Sequence, residues 1–262
     1  MSATFHILLA LDPGAPSADA FVAIEVLLRG QPDTEVHGVF VEDDNLVRYS
    51  SLPFAQELVF TSGTIEQISV TQVERQLRAR GERVRATFEV GVRALQVAHK
   101  FTIARGDVLS ELRHSATQAD LLIVARCRRD LTHRTWLGTT VTSLIDNPPA
   151  SLLFVQEPWA TGASVLVISI DDAHPEAHVT RLGELFARVQ GLPLHELDFV
   201  SGTGTAGMFA GEPSLQMDNL LRACRRLNVR LLVLPDTPTV RVQLDLAALI
   251  DQLPASVLLV RV

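Results

Sequence analysis

The sequence predicts an α/β protein of two doubly wound, open parallel-sheet lobes, the second of them truncated. Three observations carry that prediction. Short, mostly apolar runs at residues 7–11, 36–41, 121–124 and 151–155 alternate with longer segments of helical period, as βαβ units do around a sheet buried on both faces. Ser143-Leu144-Ile145-Asp146-Asn147-Pro148-Pro149-Ala150-Ser151 returns as Ala248-Leu249-Ile250-Asp251-Gln252-Leu253-Pro254-Ala255-Ser256, an offset of 105 from 143 to 248, so a helix end and the strand after it are duplicated. A chain of 262 residues is also long enough for one large domain or for two of roughly 130 residues, and two is the expectation.

The first strand, residues 7–11, runs into Asp12. Pro16-Ser17 opens the first helix, whose positions Ala20, Phe21, Ile24, Leu27 and Leu28 fall on one face, and Gly30 stops it. After the second strand, Ile65, Ile68, Val73, Leu77, Val84, Phe88 and Leu95 share one side of a long Arg- and Glu-rich helical pattern, with Gly81 the place for a kink. Arg105-Gly106-Asp107 then turns into a further helix. Gln156 to Gly162, broken by Pro158, separates a lobe of residues 1–157 from one of residues 162–262. The second lobe opens with Val167-Ile168-Ser169-Ile170-Asp171, which matches Leu8-Leu9-Ala10-Leu11-Asp12 when aspartate is laid on aspartate, an offset of 159. The fall from 159 to 105 makes the second copy 54 positions shorter, most of the loss lying opposite residues 43–101.

Composition closes off several classes. Hydrophobic residues at 47% and charged ones at 20% exclude a disordered or low-complexity chain. A net charge of -7 repels phosphate backbones and anionic lipid heads, so no nucleic-acid partner is expected. No apolar run reaches the length of a membrane span, and Met1 to His6 lacks a basic leader, so no membrane association is expected. Cys127 and Cys224 are too few for a disulfide scaffold and have no metal-ligand spacing, which fits a reducing cytoplasm.

Other patterns look chemical and carry little. Gly202-Thr203-Gly204-Thr205-Ala206-Gly207 spells G-x-G-x-x-G, but Gly211 and Pro213 prevent the long helix that a dinucleotide site needs. His174 and His178 flank Pro175-Glu176, ordinary helix-start chemistry rather than a metal pair. Cys127 lies beside arginines that favour its thiolate, while Cys224 reads as packed. No catalytic residue and no metal site is assigned.

The strand ending in Asp12, the second strand carrying Val41, the Arg105-Gly106-Asp107 turn and the loop before Leu137-Gly138-Thr139-Thr140 together resemble the universal stress protein family. The resemblance covers nearly the whole first half, and a tandem member with a shortened second copy accounts for the rest. It implies an ATP site at the C-terminal ends of the strands, where open α/β sheets bind ligands. Nucleotide-binding members carry G-x2-G-x9-G-[ST] there. Laying its last glycine on Gly138 puts Thr139 in the Ser/Thr place, Ala125 in the first glycine place and Arg128 in the second. Such glycines let backbone N–H groups curl round phosphate. Arg128 either fills that cradle or, with Arg126, Arg129 and Arg134, takes over the anion contact.

In the second half Pro235-Asp236-Thr237-Pro238 follows the matching strand without a glycine, and Gln243 and Leu244 stand for Gly138 and Thr139. No phosphate site is expected there. The function expected is a non-catalytic stress-response or signalling module acting through protein contacts, its nucleotide binding weakened or lost. The alternative is an ATP or nucleotide sensor using Asp12, Val41, Ala125, Arg126, Arg128, Gly138, Thr139 and Thr140, and a slow ATPase is the enzymatic variant. No cofactor is required, with ATP the one the resemblance admits. Expected partners are other proteins, the two lobes pairing through their final strands as an internal pseudo-dimer, and a homodimer of the chain.

Overall fold

The computed structural model describes residues 4–12, 18–52, 56–59, 64–67, 69–126, 134–159, 161–170, 176–199 and 213–262. Its strands are β1 (Phe5–Ala10), β2 (Thr34–Asp43), β3 (Gln56–Val59), β4 (Thr64–Gln67), β5 (Ala98–Gly106), β6 (Leu121–Arg126), β7 (Ser151–Gln156), β8 (Ser164–Ile170), β9 (Leu194–Phe199), β10 (Val229–Asp236) and β11 (Ser256–Arg261). The helices are α1 (Ala18–Gly30), α2 (Asp44–Ser50), α3 (Val70–Leu95), α4 (Val108–Ala116), α5 (Arg134–Asp146), α6 (Glu176–Gln190), α7 (Pro213–Arg226), α8 (Pro238–Gln243) and α9 (Leu246–Gln252).

Apolar runs with no polar alternation must be buried on both sides, and here they form the middle of one nine-stranded sheet in the order β5-β2-β1-β6-β7-β11-β10-β8-β9. All neighbours are parallel except β7 and β11, which run antiparallel. Side chains alternate between two cores. Ile7, Leu9, Ile123, Leu153, Val167, Val233 and Leu258 pack beneath α1, α3 and α6. Leu8, Leu122, Phe154, Leu166, Leu232 and Leu259 pack on the other face, with Leu112 of α4, Leu144 of α5, Leu220 of α7 and Leu249 of α9.

The central pairing has a local two-fold character. Leu152 faces Leu259, Leu153 faces Leu258 and Phe154 faces Val257. Under the sequence offset of 105, Leu153 maps onto its own partner Leu258, and the flanking pairs exchange. Two serines at equivalent positions cap the pair reciprocally: Gln156 N–H donates to Ser256 Oγ at 2.9 Å, and Arg261 N–H donates to Ser151 Oγ at 3.1 Å. This is the self-complementary geometry of an isologous contact, realised inside one chain.

Several expectations are corrected. Matching aspartate to aspartate slips the first strands by one residue. Leu121 pairs with Ile7 in the first half and Leu231 pairs with Val165 in the second, so Ile7 corresponds to Val165, an offset of 158. A one-residue slip would turn every side chain to the opposite face, and the offset of 158 keeps Leu9 and Val167 in the same core. Asp12 therefore corresponds to Ile170, and His37 corresponds to His195. The long helix begins only at Val70, because Ile65 pairs with Leu58 in the antiparallel β3–β4 hairpin and Ser69 takes the N-cap position; Ile68 lies outside the described residues. Nor does Gly81 break α3. A Cβ there would sit 3.1 Å from Ile103 Cδ1 and 3.2 Å from Phe40, so the glycine lets the helix lie close to the sheet. Where the first half has the single helix α5, the second has α8 and α9, broken at Leu244 by an extended residue. Pro16, Ser17, His174 and the Gly202–Gly207 motif lie outside the described residues.

The segment joining the halves is held by Gly162. Its φ of +100° is a conformation that L side chains rarely adopt, and a Cβ would meet the Arg230 amide nitrogen at 2.6 Å. Arg230 in turn donates from Nη2 to the Gly162 carbonyl at 2.8 Å. Gly162→Ala is expected to cost about 1–3 kcal/mol, read as a lower urea midpoint at unchanged slope. Ser256 is buried, so Ser256→Ala strands a buried amide of Gln156 and should cost about 1–3 kcal/mol. Ser151→Ala frees an amide that water can reach and should cost less in the same titration.

Candidate functional site

Parallel strands end on one edge of a sheet, and the chain's change of direction between β1 and β6 opens that edge to a ligand. Ala10 stands opposite both Val39 and Val124, and Leu11 N–H donates to the Val39 carbonyl at 2.9 Å. Two residues further along the three chains stand Asp12, Val41 and Arg126. The register thus gathers Asp12, Val41, Ala125 and Arg126 at the switch point. Val41 and Ala125 are both buried, at 7% and 8% exposure, and Ala125 pairs with Val155. Gly138, Thr139 and Thr140 lie in the second turn of α5. Arg128, Arg129 and Cys127 lie outside the described residues.

Charged residues whose partners the sequence does not show define the neighbouring edge. Asp43, buried at the end of β2, accepts from Asn45 N–H at 2.9 Å and caps α2. Arg105, at the end of β5, donates from Nε to Asp44 at 2.8 Å and from Nη2 to Glu74 at 3.0 Å. The hydrogen bond to Asp44, then that to Glu74, raises its pKa and ties β5 to the first turn of α2 and to the N-terminal part of α3. A capping signature was readable in Asp43-Asp44-Asn45 ahead of Leu46. The pairing of Arg105 was not, since Glu74 is 31 residues away.

Asp107 closes the Arg105-Gly106-Asp107 turn as the N-cap of α4, accepting from the Ser110 amide at 2.9 Å and the Ser110 hydroxyl at 2.8 Å. Those bonds hold its carboxyl below the ordinary carboxylate value.

The second half places different chemistry at the matching edge. Asp236 ends β10 almost buried and accepts from Arg241 Nε at 2.6 Å, while the Thr237 hydroxyl caps α8 ahead of Pro238. A carboxylate and its arginine occupy the place where the first half has Arg126. Cys224 is buried in α7, its thiol pushed up to about 12 by desolvation. His178 lies exposed in α6, and no group of three metal-ligating residues occurs among the described residues.

No protein-family model matches the chain, and no curated protein does. Solved structures do. A universal stress protein from Archaeoglobus fulgidus DSM 4304 is similar at TM-score 0.64 and 12% identity, covering 98% of this chain and 96% of that one. The fold is that of the universal stress proteins. A protein of unknown function from Pseudomonas aeruginosa PAO1 is similar at TM-score 0.59 and 13% identity, over 99% of this chain and 93% of that one. No described helix of this universal-stress-type fold is long and apolar enough to cross a membrane.

Asp107→Ala should cost about 1 kcal/mol at pH 7. A carboxyl with a lowered folded pKa stabilises above its unfolded value, about 4, and loses that contribution as pH falls through the folded one. The gap between wild type and variant in urea titrations should therefore close on acidification below that value.

Proposed function

We propose that the chain is a tandem universal-stress-type protein with a shortened second copy, residues 1–157 and 162–262. In this reading it works in the cytoplasm as a non-catalytic stress-response or signalling module through protein contacts, with nucleotide binding weakened or lost. The observation that carries the functional part is electrostatic. The edge where a polyphosphate would lie is rimmed by Asp12, Asp43, Asp44 and Asp107, and Arg105 is already committed to Asp44 and Glu74. Ala125 adds a Cβ at the strand end where the nucleotide-binding pattern has glycine.

The shortened copy is supported by what the second half puts on its outer strand. Gly38 of β2 lies under Phe88 of α3, where a Cβ would come within 2.7 Å of the ring. At the offset of 158 its counterpart is Glu196 of β9, which is exposed. A charged residue suits an outer strand over which no counterpart of α3 lies among the described residues. Asp236 and Arg241, filling the matching edge with their own ion pair, support the absence of a second phosphate site.

A nucleotide sensor is the second reading, favoured by the convergence of Asp12, Val41, Ala125 and Arg126 at the switch point. Calorimetric titration of ATP, with and without Mg²⁺, separates the two. The wild type should show no micromolar binding, which would be worth about −8 kcal/mol, and no release of phosphate. Recovery of binding in Arg128→Gly would identify Arg128 as the block. Micromolar binding by the wild type that Arg128→Gly weakens would overturn the leading reading and make Arg128 a phosphate ligand.

A further inference from the structure

Helix α5 ends without a cation of its own. Its last turn holds no basic residue, so the negative end of its dipole and its last carbonyls need partners from elsewhere. Two arginines supply them, and a third holds the segment that follows the helix. Arg113 of α4 donates from Nη2 to the Ser143 carbonyl at 2.6 Å. Arg241 of α8 donates from Nη1 to the Asp146 carbonyl at 3.2 Å, and Arg261 of β11 donates from Nη1 to the Pro149 carbonyl at 3.0 Å. Two of the three come from the second half.

The arrangement runs one way. Helix α9, which corresponds to the end of α5 at the offset of 105, also lacks a basic residue in its last turn. Yet among the described residues no arginine of the first half donates to its carbonyls. The counterpart of Arg261 is Gln156, and that side chain donates to the adjacent Glu157 carbonyl at 2.9 Å instead. Arg241 is itself fixed. Its side chain is 28% exposed and its Nε is held at 2.6 Å by Asp236, whose own side chain is 9% exposed. A planar guanidinium anchored by one nitrogen on a nearly buried carboxylate presents the next nitrogen at a set direction, here toward the end of α5.

We propose that the second half acts as a brace for the first, with the Asp236–Arg241 pair as the element that couples the order of α5 to the second half. The same helix carries Gly138, Thr139 and Thr140 about two turns upstream of Asp146. Whatever moves α8 thereby moves the segment beside the switch point, and whatever engages that segment is felt at Asp236. The coupling needs no nucleotide, so it stands or fails separately from the reading of the phosphate site.

The test is amide hydrogen exchange by mass spectrometry on the full chain without ligand, comparing peptides from 134–146 with peptides from α6 and β8. Asp236→Asn combined with Arg241→Gln removes the tie without stranding a buried charge. In that variant α5 should exchange about fivefold faster or more, while α6 and β8 change by no more than about twofold. Unchanged exchange in α5 would overturn the proposal, as would an equal rise in all three elements, which marks general loss of stability. Arg241→Lys keeps the charge but not the fork, so α5 should again loosen, by a smaller factor; full protection in the lysine variant would sink the pair's role as the coupling element.

Discussion

The antiparallel contact between β7 and β11 is the constraint on which the rest of the molecule depends. Each strand is the last of its half, apolar on both faces, and each would be an open edge alone. Their pairing joins five strands of one half to four of the other in a single sheet. It also joins the cores. Leu9 and Val167 share one cluster and Leu8 and Leu166 the other, so neither half owns a separate interior. The reciprocal Ser151 and Ser256 hydrogen bonds fix the register at both ends of the contact.

Once the halves share a sheet, their differences become asymmetries of one body. The first half carries α2, the β3–β4 hairpin, α3 and β5 between its second strand and α4. With them come an outer strand and the helix that buries Gly38 against Phe88. In the second half β9 ends the sheet and exposes Glu196. The polar end of α5 shows the same asymmetry: Arg241 of the second half reaches its last carbonyl and Arg261 the Pro149 carbonyl just beyond, while among the described residues no arginine of the first half donates to α9.

Charge divides the two C-terminal strand edges. At the first, carboxylates cap helices and occupy Arg105, and Ala125 stands at the strand end. At the second, Asp236 and Arg241 close the space with an internal pair. Both arrangements follow from the positions of helix N-termini and strand ends, where backbone N–H groups attract carboxylates and leave arginines to be shared.

The sequence by itself determined the α/β class and the βαβ alternation around a parallel sheet, and it carries the match between 143–151 and 248–256, because apolar periodicity and a short match are local and legible. The resemblance named Asp12, Val41, Ala125 and Arg126 as parts of one expected site, and the register of β2, β1 and β6 ends those strands at one edge. Other features only the tertiary structure decided. The true offset of 158 rests on β1 facing β6 and β8 facing β10, pairings between residues more than a hundred or sixty positions apart. The strand identity of Ile65 depended on its hairpin partner Leu58, and the burial of Gly81 on Phe40 and Ile103. The partners of Arg105 and Arg241 are likewise chosen by the approach of separate elements. Side-chain period records which face is buried, but not which neighbour buries it, and that choice is made by packing.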